Sequence, residues 1–187
     1  MSVDDLPVWD ESTRPHAPSP GHLDASMRAQ GGHLRAIHDM YRSNLSQVRS
    51  VLDRIADGAL DVGEARAAVH QVGLRATYEQ LGSFCGQMCQ MVEVHHSIED
   101  AHMYPALAAT PSGPALAPVL ERLAEEHVVV HQMLVRLDDV LVALPDAPER
   151  IGEVSALFEH LQVLLESHFT YEEDELCDPL GYHHVMV

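Results

Sequence analysis

Lysine is absent from this chain. All eleven basic residues are arginine, set against 29 acidic ones, and the formal net charge is −18 with histidine neutral. An acidic surface of this kind repels phosphate backbones and anionic bilayers, which argues against nucleic acid and membrane surfaces as partners. Aromatic residues make up only 5% of the chain, so valine, leucine, alanine and methionine must fill the core. No apolar run approaches the roughly 18 residues that a membrane span requires. The opening Met1-Ser2-Val3-Asp4-Asp5 is acidic and leads into no apolar stretch, unlike a secretory signal. The expected location is therefore the cytoplasm. Three cysteines, Cys85, Cys89 and Cys177, are too few and odd in number for a disulfide framework.

Histidine, in contrast, is abundant: 14 residues in a chain of 187. That length suits one domain with one core and short tails. Residues 1–25 carry Pro7, Pro15, Pro18 and Pro20 with no apolar period, and read as an irregular or disordered arm. Four apolar stripes then follow, each stepping by three and four residues as one face of a helix does. The first, between Ser26 and Ala56, is Leu34, His38, Tyr41, Leu45, Val48, Leu52 and Ile55, with Gly58 as its stop. The second, from Val62 to Met103 with a bend near Gly73, is Leu74, Tyr78, Leu81, Cys85, Met88, Val92, His95 and Glu99, closed by Pro105. The third, reaching Leu144, is Leu116, Leu120, Leu123, His127, Val130, Leu134, Leu137 and Leu141. The fourth, from Glu149 to Leu176, is Val154, Phe158, Leu161, Leu165, His168 and Glu172, and Pro179 and Gly181 end the ordered part. Proline-containing connectors at 109–114 and 145–148 separate the later helices. The pattern predicts an all-α protein: an antiparallel up-down-up-down four-helix bundle over residues 26–176, with a tail at 177–187.

Every stripe holds a histidine, and two hold a glutamate one turn later. A buried polar group without a partner costs about 1–3 kcal/mol, and a buried charge costs more. Four helices bearing that cost are reconciled if the groups share a metal ion. At a rise of 1.5 Å per residue, His38, His95, His127 and His168 fall within roughly 6 Å of one another in depth along an antiparallel bundle. The pairs His95-x-x-x-Glu99, His127-x-x-x-His131 and His168-x-x-x-Glu172 each put two side chains on one helix face, one turn apart. The candidate ligands are His38, His95, Glu99, His127, His131, His168 and Glu172. Seven ligands exceed the four of tetrahedral zinc. They suit two six-coordinate ions with bridging carboxylates, and mixed imidazole and carboxylate donors favour iron, along with other transition metals.

These motifs, in this order, resemble the hemerythrin family and its bacterial HHE-domain relatives. The segment Val94-His95-His96-Ser97-Ile98-Glu99-Asp100, followed by Met103-Tyr104-Pro105, is similar to the family's second-helix signature. Glu125-Glu126-His127 and His168-Phe169-Thr170-Tyr171-Glu172-Glu173 resemble the third and fourth. The resemblance covers about residues 30–176. It implies two oxo- or hydroxo-bridged iron ions, with Glu99 and Glu172 as carboxylate bridges and a position kept for dioxygen or another small oxidant. It also implies that His38, His168 and one neighbour hold one iron, with His127, His131 and His95 near the other. The chain departs from the oxygen-carrying members in its fourth motif, where they have Asp five residues after the His. Here Glu172 follows at four and Glu173 at five, and the helical stripe favours Glu172.

The remaining polar residues divide by angle around their helices. His33 is about 140° from His38 and His96 about 100° from His95, both off the stripe, which makes His96 a surface residue or an outer contact. His102 shares the seam of His95 and is a candidate for an outer contact or for lining a channel. His160 is expected to be packed or on the surface, and His70, His183 and His184 are expected in solvent. Tyr104, Tyr171, Asp100 and Glu126 flank the ligands and are candidate partners for the outer nitrogens of ligating histidines. Cys85 and Cys89 read as small buried apolar groups, with a redox-sensing pair as the alternative.

Three functional readings stand side by side. The first is a non-heme diiron protein that binds or senses dioxygen or another small oxidant. The second is an enzyme of stress defence that decomposes peroxide or reduces nitric oxide at the same irons. The third is an iron-handling protein.

Overall fold

Within the described residues the apolar stripes form helices, and the helices meet along them. The computed structural model describes residue 6, residues 8–59, residue 86 and residues 89–187. Helix α1 is Ala25–Ala59, α2 is residues 89–98, α3 is Tyr104–Ala108, α4 is Gly113–Ala143 and α5 is Ile151–His183. A π-helical turn, Glu99–Met103, joins α2 to α3 without a break, so α2 and α3 together make one of the four helices of the bundle. The expected upstream part of that helix, with the bend near Gly73, His70 and the stripe from Leu74 through Cys85 to Met88, lies outside the described residues. The opening residues Met1–Asp5 do so as well.

The order of contacts gives the topology. Gly31 lies beside Cys177, Arg42 pairs with Glu166 and Arg49 with Glu159; numbers rise on α1 as they fall on α5, so the two run antiparallel. His38 meets His95 and Tyr41 meets Met91, so α2 also runs antiparallel to α1. Among the described residues there is no strand, and no helix is long and apolar enough to cross a membrane.

One helix end differs from the sequence expectation. The fourth helix continues through Pro179 to His183, although proline lacks the N–H that continues a helix. Tertiary contact offsets the lost bond. Pro179, Leu180 and Gly181 are buried, and glycine at 31 and 181 lets α1 and α5 touch, because a methyl group at either position would strike the Cys177 or Met27 carbonyl oxygen. The helix stops only at His184, whose φ of 55° lies in the left-handed region. His183 is half-buried and within 2.9 Å of Ser112 Oγ, so it is not the free surface residue expected.

The arm is irregular but bound to the bundle. Leu6 is buried in the larger apolar cluster and Trp9 packs against it, and among the described residues of the arm only a 3-10 turn at Glu11–Thr13 is regular.

The core is in two parts. One cluster holds Tyr41, Leu45, Val92, Val130, Leu165 and Phe169; the other holds Leu34, Met103, Leu107, Leu123, Tyr171 and Leu176. On each helix of the bundle the boundary falls at a polar position: His38 between Leu34 and Tyr41, His95 and Glu99 between Val92 and Met103, His127 between Leu123 and Val130, and His168 and Glu172 between Leu165 and Leu176. A polar layer thus crosses the bundle between two apolar halves.

Candidate metal centre

Two groups of buried side chains occupy that layer. His38, His95, Glu99 and Glu172 form one, with ligand atoms all within 4.8 Å of one another. His96, His127 and His168 form the other by the same measure. All four helices of the bundle contribute.

The histidines turn the same edge inward. His38 Nδ1 lies 3.1 Å from Glu173 Oε1, His127 Nδ1 lies 3.0 Å from Asp100 Oδ1 and His168 Nδ1 lies 3.2 Å from Glu126 Oε2. A carboxylate partner makes Nδ1 the donor and leaves a lone pair on Nε2. Those Nε2 atoms face one another: His38 to His95 at 3.1 Å and His127 to His168 at 3.2 Å. At His127 and His168 both outer nitrogens are so fixed, the facing lone pairs repel, and a cation beside them removes the repulsion. Two nitrogens about 2.1 Å from a common ion are separated by about 3.0 Å along an octahedral edge and about 3.4 Å along a tetrahedral one. Both spacings fall within that range.

The carboxylates lead to the same conclusion. Glu99 Oε1 and Oε2, Glu172 Oε2 and His96 Nε2 are buried without a hydrogen-bond partner among the described residues. His95 Nε2 is 3.0 Å from Glu99 Oε1, and His38 Nε2 is 3.3 Å from Glu172 Oε2, but neither contact has hydrogen-bonding geometry. Leaving such groups unsatisfied costs about 1–3 kcal/mol each. Glu99 also reaches the second group, with Oε2 3.5 Å from His127 Nε2. Glu172 Oε1 accepts a 2.8 Å hydrogen bond from the Tyr104 hydroxyl, itself 3.3 Å from His127 Nε2. Each carboxylate therefore lies between the two groups, and the donor set fits cations.

Burial dominates the electrostatics. It pushes the pKa of Glu99 well above the ordinary value, with Glu172 adding to the effect. For Glu172 burial works against the charge, but His38, His168 and His127 outweigh it and hold the carboxyl low. Burial brings His95 down to about 3 and His96 well below its ordinary range. His38 is raised, because Glu172 and Glu173 overcome the burial penalty. Flat rings wall the imidazoles: Phe169 stacks on His38 at 4.2 Å, Tyr41 on His95 at 5.0 Å, and His96 on His127 at 4.0 Å.

The sequence placed the second group differently. His131 is exposed and belongs to neither group. It lies about 100° around α4 from the buried Val130, whereas His127 is on the other, inner edge of its own turn. His96 takes part instead, 5% exposed. The helix formed by α2 and α3 has neighbours on two sides, so positions 95 and 96 both face inward, towards different groups. The partition also differs: His168 joins His127, while His95 joins His38. Glu173 contacts the outer nitrogen of His38 and pairs with Arg35 and Arg42, so Glu172 is the glutamate that faces inward. His102 is exposed, because the π turn holds an extra residue and shifts the phase, turning Met103 and Tyr104 inward instead. His33 is exposed and His160 is half-buried. Tyr171 turns away from the site and donates to the Pro15 carbonyl. Cys89 is half-buried beside the larger cluster, with burial pushing its thiol up to about 12; its partner in the redox reading, Cys85, lies outside the described residues.

The hemerythrin HHE cation-binding domain model matches residues 32–180, well over half of the chain. The chain belongs to the hemerythrin HHE cation-binding domain family. The match spans both halves of the core and every residue of the two groups, and the family's cation-binding character agrees with the unpartnered carboxylates between them. It leaves the arm outside. No curated protein and no solved structure matches the chain.

Proposed function

We propose that the two groups hold a pair of iron ions and that this non-heme centre binds or senses dioxygen or another small oxidant. The observation that carries the reading is Glu99: a buried carboxylate, unpartnered, with one oxygen 3.0 Å from His95 and the other 3.5 Å from His127. In this reading His38 and His95 would hold one ion and His96, His127 and His168 the other, with Glu99 and Glu172 supplying carboxylate oxygens between them. When bound, iron would supply a redox-active centre for the oxidant. The protein's part is to hold and shield. Glu173, Asp100 and Glu126 fix the imidazoles by their outer nitrogens, and the aromatic walls keep bulk water away.

Tyr104 favours a second reading, in which the centre decomposes peroxide or reduces nitric oxide. Peroxide disproportionation moves protons between oxygens with no net uptake, and nitric oxide reduction takes up protons together with electrons from an external reductant. The Tyr104 hydroxyl, which donates to Glu172, lies between the groups where such a proton would pass.

Metal analysis and an optical spectrum of the purified chain test the proposal, with Glu99→Ala and His127→Ala alongside. Two irons per chain and visible bands that change reversibly with dioxygen support binding. Bands that bleach with consumption of added peroxide or nitric oxide support turnover. A single zinc, or no metal and an unchanged fold, sinks both.

A further inference from the structure

The arm precedes the family match, which begins at residue 32, yet it is tied to the bundle at several points. Trp9 Nε1 donates to Ser167 Oγ at 3.2 Å, and Tyr171 donates to the Pro15 carbonyl at 2.8 Å. The Ala17 amide donates to Glu175, which also contacts His16. Between these ties sits Arg14, 8% exposed. Its guanidinium lies over the Tyr171 ring, 4.6 Å from the centroid. It forms a fork with Glu126, Nε to Oε1 and Nη2 to Oε2, both at 2.9 Å. The same Oε2 lies 3.2 Å from His168 Nδ1. A continuous chain of contacts therefore runs from the arm through Arg14 and Glu126 to an imidazole of the second group.

We propose that Arg14 is a positioning residue of the metal centre: by locking the Glu126 carboxylate it fixes the ring of His168. A two-pronged guanidinium contact sets the plane of a carboxylate, which a single bond does not. Without Arg14, the Arg122 contact, at 3.0 Å to Oε1, is the one guanidinium bond left to Glu126 among the described residues. Oε1 is the oxygen His168 does not use, so the carboxylate is free to rotate away from Nδ1. His38 is served by a parallel device within the family domain, where Arg35 and Arg42 of α1 grip Glu173. For His168, half of the grip comes from the arm. Loss of such an outer partner typically weakens metal binding about 10–100-fold.

The inference rests on His168 being a metal ligand, and its test separates the two claims. Apo full-length protein is titrated with Co(II), whose visible bands report the ligand field, in competition with a chelator. Wild type, Arg14→Met, Arg14→Lys and Trp9→Phe are compared. We expect wild type to take up two Co(II). Arg14→Met should lose about tenfold in affinity at one of the two sites, with an altered band. Arg14→Lys keeps the charge but not the fork and should not rescue it. The Arg14 guanidinium also lies 5.8 Å from the centre of the Trp9 ring, so Trp9→Phe keeps a ring there and removes only the bond to Ser167; it should lower the apo melting temperature and leave affinity and spectrum unchanged. If Arg14→Met matches wild type in affinity and spectrum, the positioning role falls and the centre stands. If Trp9→Phe weakens binding as much as Arg14→Met, the arm acts only as structural support and the role also falls. If wild type binds no Co(II), both claims fall together.

Discussion

The two groups in the polar layer differ in charge. His38 and His95 share their group with two carboxylates; His96, His127 and His168 offer imidazole alone. The first group accumulates negative charge that burial resists, as the raised Glu99 pKa shows. The second has no carboxylate among its ligand atoms and is held by acidic residues one step further out. A cation arriving alone should therefore settle first beside the carboxylates. The second group has nothing to neutralise and depends on geometry, through the carboxylates behind His127 and His168. One site is selected by charge and the other by orientation, and the same glutamates lie between them.

The sharpest way to break this comparison is Glu99→Leu. It removes the carboxylate nearest both groups, and bound metal should fall from two ions per chain to one or none. The apo protein should gain on the order of 1 kcal/mol, because an unsatisfied buried group is gone. Metal analysis and apo denaturation read the two effects. Unchanged metal content would show that the groups bind independently of Glu99.

The next test addresses the second group alone. His96→Phe keeps a ring against His127 and removes one nitrogen, and should take metal content from two to one. His131→Ala, at an exposed position, should leave it at two. The reverse result would restore His131 as the ligand.

That contrast also marks how far the sequence was legible. Helical phase alone brought His38, His95, Glu99, His127, His168 and Glu172 onto inward stripes, and all six are buried. It also separated Glu172 from Glu173. It failed where one stripe per helix was too simple. The helix formed by α2 and α3 faces two neighbours, so adjacent His95 and His96 are both inside, and the π turn moves the seam from His102 to Met103 and Tyr104. Such turns carry no simple residue signature. The anchoring of the arm through Leu6 and Arg14 and the extension of α5 through Pro179 were hidden for a related reason: both depend on contacts made across the fold. Arg14 meets Glu126 across 112 residues of sequence.

A smaller effect appears with pH in the apo protein. His95 titrates at an ordinary 6.5 when unfolded and at about 3 when folded, and His96 is lowered as well. Across that window the unfolded chain binds more protons, so stability falls as pH drops from about 6.5 towards 3. His38, raised by its glutamates, acts in the opposite sense: its contribution is full below 6.5 and fades as pH rises through its folded value. His168 is lowered too, and the His38 window lies above 6.5, so among the imidazoles the lowered ones govern the acid side: the apo melting temperature should decline below pH 6.5, and less steeply in His96→Phe. A flat profile would mean that the inward imidazoles are hydrated.

The smallest expected change is that of Tyr104→Phe. It deletes the bond to Glu172 and should cost about 1 kcal/mol of stability, with two metal ions retained. A lost ion would make Tyr104 a ligand and not a neighbour.

The divided core bears on how the molecule opens. Two apolar halves joined through a polar layer lack the continuous packing that makes a small domain unfold as a unit. Cations in that layer would cross-link all four helices of the bundle at mid-height and couple the halves. Amide exchange at Leu45 and Leu123, on opposite sides of the layer, should then follow a common opening free energy in the loaded protein and two separate ones after chelation. On this view the metal governs cooperativity: it determines whether the bundle behaves as one folding unit or as two.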